Sequence, residues 1–370
     1  MIRDFELIPV AEPDLSSLER SYLLKAFDSG RISSTGSFVE VFESTWAKAC
    51  QSEYAISVAN GTVALHLILA ALNIGTGDEV IVPSLTYIAS ANAIRYVGAK
   101  PVFVDVKSNN WCLDPIKVEA SINKKTKAIM AVHLYGNPSG IEELRKISVK
   151  HGLFLIEDAA EAPYSEVHEK RAGSFGIAAA FSFYGNKILT SGEGGAITTS
   201  DKDLYLRMKL LRGQGMDPER RYFFPEIGFN YRLTNLQCAL LVAQLERANV
   251  MLARRSEIIE IYQKELSKFG MFEFQGLDEG VKPSPWLFTT LISSEFTKSR
   301  DSLADFLSIR GIESRPIFIP IHTLPPYKAK NQKSLPITEN ISQRGISLPT
   351  YSTLDDSSLS LIIKAISEWI

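Results

Sequence analysis

The sequence has little cysteine, no excess of either charge and no long apolar run. Three cysteines in 370 residues, Cys50, Cys112 and Cys238, are too few and too far apart for a disulfide framework or a paired-cysteine metal site. Lysine and arginine total 40 against 42 acidic residues, whereas nucleic-acid binders usually carry a basic excess or stripe. No apolar stretch reaches the roughly 18 residues of a membrane-spanning helix. We therefore expect neither a nucleic-acid nor a membrane partner, and no metal site.

The rest of the composition is that of an ordinary folded protein. The chain is 45% hydrophobic and 22% charged, which excludes disorder and collagen as the main state. Residues 1–6 lack the basic-then-apolar layout of a secretory signal, so we expect a cytoplasmic location. At about 150 residues per domain, the length predicts roughly two domains.

Short β-rich runs alternate with helical runs through the first 250 residues. Such alternation predicts a three-layer α/β domain, and the continuous apolar strands predict a mainly parallel sheet buried on both faces. The predicted strands are 55–59, 79–83, 101–106, 128–133, 153–158, 179–183 and 196–199, the last antiparallel to its neighbour. The predicted helices between them are 63–72, 89–97 and 141–151.

From residue 233 to about residue 269 the pattern becomes helical and charged. We expect a long helix or helix pair leaving a large domain, residues 1–245, for a smaller α+β domain, residues 246–370. Its shorter elements are predicted at 287–292, 303–309, 346–348 and 357–369. Five prolines between 316 and 336 predict an irregular stretch over a site.

Two segments carry polar groups at the ends of predicted strands. Gly61 and Thr62 lie where a strand turns into a helix, and exposed amides there favour an anion; the alternative is an ordinary tight turn. Asp158 ends a buried strand, where open α/β sheets bind ligands, and Glu161 follows it. The alternative is that Asp158 caps a helix with Glu161 as its capping-box partner.

Two further segments complete the set. Lys187 lies between a strand and the glycines 192, 194 and 195, and its small apolar flanks predict a restricted space. A desolvated lysine has a lowered pKa and can form a Schiff base, whereas most lysines are simply solvated. In the segment 228–235, Thr234 is a candidate N-cap, which leaves Asn230 free to meet an anion or a partner chain.

Together these segments resemble the DegT/DnrJ/EryC1/StrS family of nucleotide-sugar aminotransferases, which are fold-type-I enzymes dependent on pyridoxal 5'-phosphate (PLP). The likeness runs from about residue 8 to residue 349, nearly the whole chain. The motifs that carry it are Asn-Gly-Thr-x-Ala-Leu, Gly-Asp-Glu-Val-Ile-Val-Pro, His-Leu-Tyr-Gly, Glu-Asp-x-Ala-Glu-Ala, Ser-x-x-x-x-Lys with Thr-Ser-Gly-Glu-Gly-Gly, and Asn-Tyr-Arg-Leu-Thr-Asn.

The resemblance implies a role for each matching residue. Lys187 would bind the cofactor covalently and move protons, with pyridoxamine 5'-phosphate as the intermediate form of the cofactor. Asp158 would pair with the pyridinium nitrogen, Tyr87 would stack on the ring, and Glu161 would lie near the phenolic oxygen. The remaining matches are phosphate ligands: Gly61, Thr62, Ser182 and, from the second subunit of a homodimer, Asn230.

The resemblance also implies the substrates. L-Glutamate is the family's usual donor, and the likeness is greatest to members that aminate carbon 4 of GDP-4-keto-6-deoxy-D-mannose for bacterial O-antigen and lipopolysaccharide biosynthesis. The segment 28–36 would lie near the sugar nucleotide, with Arg31 replacing the family's usual aromatic residue. The candidate substrate residues are Arg31, Ser33, Tyr184, Arg315 and His322; for His322, a loop histidine satisfied by protein groups is the alternative.

Other functions remain open at this point. The same scaffold supports 3-amination, UDP- or dTDP-linked substrates, and dehydration, although a 3-dehydratase relative has histidine where this chain has Lys187. A sensor that binds a sugar nucleotide or PLP without turnover would not need a complete set of catalytic groups. A nicotinamide-dependent dehydrogenase is disfavoured, because no Gly-x-Gly-x-x-Gly follows the early strands.

Overall fold

The computed structural model describes residues 7–329 and 333–370. Residues 1–6, on which the expectation about a secretory signal rests, lie outside the described residues. Within the described ranges, none of the helices combines the length and apolar character that crossing a bilayer would require.

A seven-stranded sheet forms the centre of the N-terminal part. The strands of this part are β1 Tyr54–Val58, β2 Glu79–Pro83, β3 Lys100–Val104, β4 Thr126–Val132, β5 Phe154–Asp158, β6 Glu166–Val167, β7 Lys170–Arg171, β8 Ala178–Ser182 and β9 Gly195–Thr199. The order in the large sheet is β1-β9-β8-β5-β4-β2-β3. The β2–β3, β2–β4, β4–β5 and β5–β8 pairs are parallel, whereas β9 runs antiparallel to β1 and β8. The predicted mainly parallel sheet, with an antiparallel strand near 196–199, is confirmed.

Helices cover both faces of this sheet. They are α1 Ser17–Asp28, α2 Ser37–Ala49, α3 Gly61–Ala71, α4 Ala89–Tyr96, α5 Pro115–Ser121, α6 Ile141–His151 and α7 Lys202–Arg212. Strand β2 is buried along its whole length, and its side chains alternate between two cores. Val80 and Val82 pack with α3, α4 and α7, whereas Ile81 packs with α5 and α6 on the other face. This alternation follows from the two-residue period of a strand, and it gives the predicted three layers.

A single helix, α8 Asn235–Ser267, leads from the first part of the chain to the rest. The Thr234 side chain accepts a hydrogen bond from the Gln237 amide, and the Gln237 side chain interacts in return with the Thr234 backbone. This capping box confirms the predicted N-cap and fixes where the helix begins. The predicted domain boundary near residue 245 falls inside α8 and stays a prediction.

The C-terminal part has its own sheet and core. Its elements are β10 Phe272–Phe274, β11 Val281–Lys282, β12 Thr289–Ile292, α9 Arg300–Ser308, β13 Arg315–Pro316, α10 Pro336–Arg344, β14 Gly345–Ser347 and α11 Asp356–Trp369. An antiparallel sheet of order β10-β12-β14-β13 packs with α9, α11 and the end of α8. Strand β11 instead joins β6 and β7 in a third sheet, which the sequence analysis does not predict.

Trp46 should be a major source of stability, because it is fully buried among aromatic side chains. Its ring centroid lies 5.0 Å from that of Phe181 and 5.2 Å from that of Phe183, both in edge-to-face geometry. We expect Trp46→Ala to lower the free energy of unfolding by about 3–5 kcal/mol, as large-to-small aromatic changes do in cores. Denaturant unfolding followed by circular dichroism measures this loss.

Trp46→Phe is the matched control. It keeps an apolar ring and removes an indole N–H that has no hydrogen-bond partner in the described residues. We therefore expect it to cost much less than the alanine variant. Equal losses for the two variants, or a loss below about 1 kcal/mol for Trp46→Ala, would contradict this role for the ring packing.

Candidate active site

The predicted site residues gather where the strands of the large sheet end. Asp158 is the last residue of β5 and Ser182 the last residue of β8. Gly61 follows β1, Tyr87 follows β2 and Lys187 follows β8. Since carboxyl ends of parallel strands meet at one edge of a sheet, residues spread over 126 positions of sequence, Gly61 to Lys187, come to one edge.

Lys187 is held in a narrow space. Its backbone amide donates to the carbonyl of Tyr184 at 2.9 Å, which forms the turn after β8. The side chain is 13% exposed, and Nζ lies 4.0 Å from Glu161 Oε1. Nζ also lies 3.8 Å from the centroid of the Trp286 ring. Burial lowers the pKa of the Lys187 amine, while the charges of Glu161 and Asp158 oppose that shift, so the amine is more available as a nucleophile or base.

Asp158 is buried beside this lysine and caps no helix. The residues after it form a turn rather than a helix, so the capping-box alternative is wrong. One carboxylate oxygen accepts from Ser90 Oγ at 2.6 Å, and the other accepts from the Ala160 amide at 3.2 Å. Burial raises the pKa of Asp158, while the Ser90 hydrogen bond and the charge of Lys187 oppose that shift.

Glu161 lies on the turn that follows Asp158, with its carboxylate close to the Lys187 amine. Its Oε2 accepts a hydrogen bond from the backbone amide of Tyr135 at 2.7 Å. Tyr135 has a left-handed backbone, with φ of 52°, in the turn that follows β4. Burial raises the pKa of the Glu161 carboxyl, while the Lys187 charge lowers it. The charges of two carboxyl groups, Glu161 and Asp158, therefore act on Lys187 in a largely buried site.

The turn at the start of α3 has the features of an anion site. Asn60 caps the helix by accepting from the Val63 amide at 3.0 Å, and Gly61 and Thr62 open the first turn. A Cβ on Gly61 would lie 3.0 Å from the Cβ of Ser182, and one on Gly195 would lie 2.5 Å from the Asn60 carbonyl carbon. The segments pack so closely that position 195 has no room for a side chain, and the start of α3 lies against Ser182. Amides at a helix start favour an anion there.

Three other predicted residues present exposed side chains. Tyr87 is 59% exposed, and its ring centroid lies 5.9 Å from that of Phe318. Phe318 belongs to the proline-rich stretch, so that stretch does reach the Tyr87 side of the site. Tyr184 is 51% exposed, and Asn230 is also exposed.

The structure does not join the other candidate substrate residues to the lysine. Among the described residues, no hydrogen bond or ion pair links Arg31, Ser33, Arg315 or His322 to Lys187. The exposed residues Arg31 and Ser33 each have a backbone carbonyl bound by Asn235.

Arg315 and His322 interact with other protein groups. The Arg315 guanidinium pairs with Glu313 at 3.2 Å. His322 is buried, with Nδ1 2.7 Å from Ser84 Oγ and Nε2 3.1 Å from Glu339 Oε1. Both ring nitrogens are thus occupied, which favours the alternative of a satisfied loop histidine.

Two residues that were not predicted, Ser90 and Trp286, contact predicted site residues. Ser90 lies three positions after Tyr87, in a run of small residues, and only its hydroxyl could have drawn attention to it. Trp286 lies 99 positions after Lys187, so no local pattern connects them. The indole Nε1 donates to the Asn186 carbonyl at 2.9 Å, and the carbonyl of Trp286 accepts from buried Arg255 at 2.8 Å.

Glu157 also went unnoticed, although it is fully buried at the end of β5. It accepts hydrogen bonds from the amides of Gly173, Phe175 and Gly176, each at 2.8 Å. The His133 ring Nε2 lies 2.9 Å away. Burial alone would raise the pKa of Glu157, but the His133 hydrogen bond and backbone amides outweigh it and hold the pKa below its usual value.

We expect Glu157→Gln to destabilise the fold by about 3 kcal/mol or more, since an amide cannot accept all these bonds and its NH₂ would face buried donors. Because the folded pKa is depressed, the carboxylate's contribution is full above the usual carboxyl pKa and is lost as the pH falls through the folded value. Thermal unfolding across the acid range measures both effects.

Glu119→Gln is the control, because Glu119 is a half-exposed carboxylate that pairs with Lys150 on the surface. Its loss should be much smaller than that of Glu157→Gln, because solvent screens an exposed ion pair. Wild-type stability in Glu157→Gln, or an unchanged acid dependence, would contradict the role assigned to the buried carboxylate.

Comparison with known proteins agrees with this geometry. Residues 13–367 match the DegT/DnrJ/EryC1/StrS aminotransferase family. The chain is 45% identical to the GDP-perosamine synthase of Caulobacter vibrioides, over 99% of each chain. It is 43% identical to the GDP-perosamine synthase of Escherichia coli O157:H7, over 98% of each chain.

A solved structure agrees as well. A candidate sugar aminotransferase of Streptococcus pneumoniae, in its PLP form, superposes with a TM-score of 0.92 at 26% identity, over 99% of this chain and 100% of that one. The match of family, fold and length leaves one assignment. The chain belongs to the DegT/DnrJ/EryC1/StrS aminotransferase family.

Proposed function

We propose that this aminotransferase uses PLP to move the amino group of L-glutamate to carbon 4 of GDP-4-keto-6-deoxy-D-mannose, which gives GDP-perosamine. The observation that carries the proposal is the enclosed Lys187 amine, 4.0 Å from Glu161 and adjoining buried Asp158. The names of the two GDP-perosamine synthases support the choice of sugar nucleotide.

The donor set fits PLP. A phosphate needs amides at a helix start and a hydroxyl, and the turn at Gly61 lies against Ser182, with a Cβ on Gly61 only 3.0 Å from the Cβ of Ser182. A protonated ring nitrogen needs a carboxylate, and Asp158 offers one that is buried and fixed by two donors. An aldehyde carbon needs an amine with a lowered pKa, which burial gives Lys187.

Each residue would then hold one part of the cofactor. Gly61, Thr62 and Ser182 would bind the phosphate, Tyr87 would cover a ring face, and Asp158 would keep the ring nitrogen protonated. Glu161 would lie near the phenolic oxygen. When bound, PLP supplies an aldehyde for Schiff-base chemistry and a protonated ring that stabilises negative charge on the reacting carbon.

The protein's own contribution is proton transfer and exclusion of water. Lys187, once released by the incoming amine, would take the α-proton of glutamate and return it at the cofactor carbon. With the sugar, the same amine would move the proton in the opposite direction, to carbon 4. Transfer by one positioned base is worth about 10² to 10⁴ in rate. Glu161, whose pKa burial raises, would hold a proton beside the lysine.

The assembly that we propose is a homodimer in the cytoplasm. Asn230 is exposed at the end of a segment with four exposed apolar side chains, Tyr222, Phe223, Phe224 and Ile227. A second copy packed on this segment would cover them and bring Asn230 to the phosphate of the neighbouring site. The product would serve synthesis of a bacterial surface polysaccharide such as O-antigen.

Lys187→Ala should abolish amino transfer, because it removes both the covalent anchor and the proton carrier, while leaving the fold intact. Lys187→Arg should also be inactive, since a guanidinium keeps its proton and forms no Schiff base. Amino transfer is measured as 2-oxoglutarate formed from L-glutamate, with the fold checked by circular dichroism.

Lys364→Ala serves as the control, because that lysine is 77% exposed near the C-terminal end and should leave the rate unchanged. If Lys187→Ala kept both a substantial rate and the visible absorbance of bound cofactor, the assignment of Lys187 would be wrong.

The function itself is tested by visible absorbance of the protein with PLP, before and after L-glutamate. We expect a yellow band that glutamate bleaches and that the GDP-linked keto sugar restores, with NMR of the product showing nitrogen on carbon 4. Nitrogen on carbon 3, or loss of oxygen without amination, would assign another reaction on the same scaffold. A band that glutamate does not change would remove transamination with this donor.

A further inference from the structure

Ser90 connects two of the predicted cofactor-binding residues. It is the second residue of α4, three positions after Tyr87, and it is buried. Its Oγ lies 2.6 Å from Asp158 Oδ2 and 3.3 Å from Thr86 Oγ1. The Tyr87 carbonyl lies farther away, at 3.4 Å. The hydroxyl has one proton to donate, so the short contact with the carboxylate is the bond that it makes.

With Asp158 ionised, as its proposed pairing with a protonated ring nitrogen requires, the direction of each hydrogen bond in this group follows. A carboxylate only accepts, so Ser90 donates to it, and the Thr86 hydroxyl then donates to Ser90. The second oxygen of Asp158 accepts from the Ala160 amide at 3.2 Å. Each oxygen therefore has one protein donor, which fixes the plane of the carboxylate and leaves acceptor capacity for a ligand.

The charges around Asp158 make this donor important. Burial raises the pKa of Asp158, and the Ser90 hydrogen bond is the first of the effects that lower it. Lys187 and His133 also lower the pKa of Asp158, from the segments after β8 and β4. The charge of Asp158 in turn raises the pKa of Glu161, which lies on the turn that follows β5. Without the hydroxyl, the balance moves toward the protonated acid.

We propose that Ser90 is a positioning residue, whose hydroxyl orients the Asp158 carboxylate and keeps it ionised for the ring nitrogen of the cofactor. This inference rests on the proposed function, since it assigns Asp158 to that nitrogen. Ser90 would act on the cofactor through Asp158, so its effect should lie in cofactor affinity and the pH dependence of that affinity.

The test is the affinity of the cofactor-free protein for PLP, titrated by visible absorbance from about pH 5 to about pH 9. We expect Ser90→Ala to weaken binding about tenfold near neutral pH, because a hydrogen bond to a charged group is lost. The acid limb, where Asp158 becomes protonated, should move to higher pH. Ser90→Thr keeps the hydroxyl and should restore both properties.

Ser148→Ala is the matched control, because Ser148 is a buried helical serine whose hydroxyl donates to the Arg145 carbonyl. It should leave the PLP affinity and the acid limb unchanged. If Ser90→Ala does not fold, Ser90→Cys takes its place: a weak S–H donor of similar size should shift the acid limb in the same direction. An acid limb in Ser90→Ala, or in its Cys substitute, that coincides with wild type would overturn the proposal.

The same measurements distinguish a wrong function from a wrong role for Ser90. If the wild-type protein does not bind PLP or transfer nitrogen from glutamate, the function itself is wrong, and the role of Ser90 falls with it. If the wild-type protein does both and Ser90→Ala binds PLP with the same affinity at every pH, only the role of Ser90 is wrong.

Discussion

The site depends on one buried carboxylate that takes no part in the proposed chemistry. Glu157 accepts hydrogen bonds from three backbone amides in the segment before β8, and it interacts with the His133 ring after β4. It thereby links the carboxyl ends of β4 and β5 to the segment that leads into β8. Because side chains alternate along a strand, fixing Glu157 on one face of β5 also fixes Asp158 on the other.

Burial then acts on three ionisable groups in the same way. It lowers the pKa of Lys187 and raises those of Asp158 and Glu161, so it favours the neutral form of each. The charge of Lys187 works against the shifts of the two carboxyl groups, and their charges work against the shift of Lys187. A site of this kind needs neither a large net charge nor an acidic or basic surface, in keeping with the nearly neutral sequence.

The sequence predicted the parts of this arrangement that are local. Apolar runs identified the strands of the large sheet, and the turns after them identified Gly61, Asp158 and Lys187, because a strand end and its turn are neighbours in the chain. The spacing of Asp158 and Glu161 alone could not show whether Asp158 binds a ligand or caps a helix. A capping box and the observed turn share the same residues, and the bond that Glu161 accepts from the distant Tyr135 amide is not visible in the sequence.

Contacts between segments that are far apart in the chain could not be predicted, because they leave no local pattern in the sequence. Ser90 touches Asp158 across 68 positions, and Trp286 touches the lysine turn across 100 positions; neither distance leaves a periodic signal. Asn235 was read only as part of a motif, yet it binds the carbonyls of Arg31 and Ser33. The roles of those two residues toward a sugar nucleotide therefore stay predictions.

Through Trp286, the C-terminal part of the chain contributes one of the side chains that surround the Lys187 amine. Its indole lies on Lys187 and bonds to Asn186, and Arg255 of α8 holds its carbonyl. In a hybrid that joins the first part of this chain to the C-terminal part of a relative, the relative's residue at position 286 would lie against the native lysine. Exchange of the C-terminal part therefore also bears on the surroundings of the Lys187 amine.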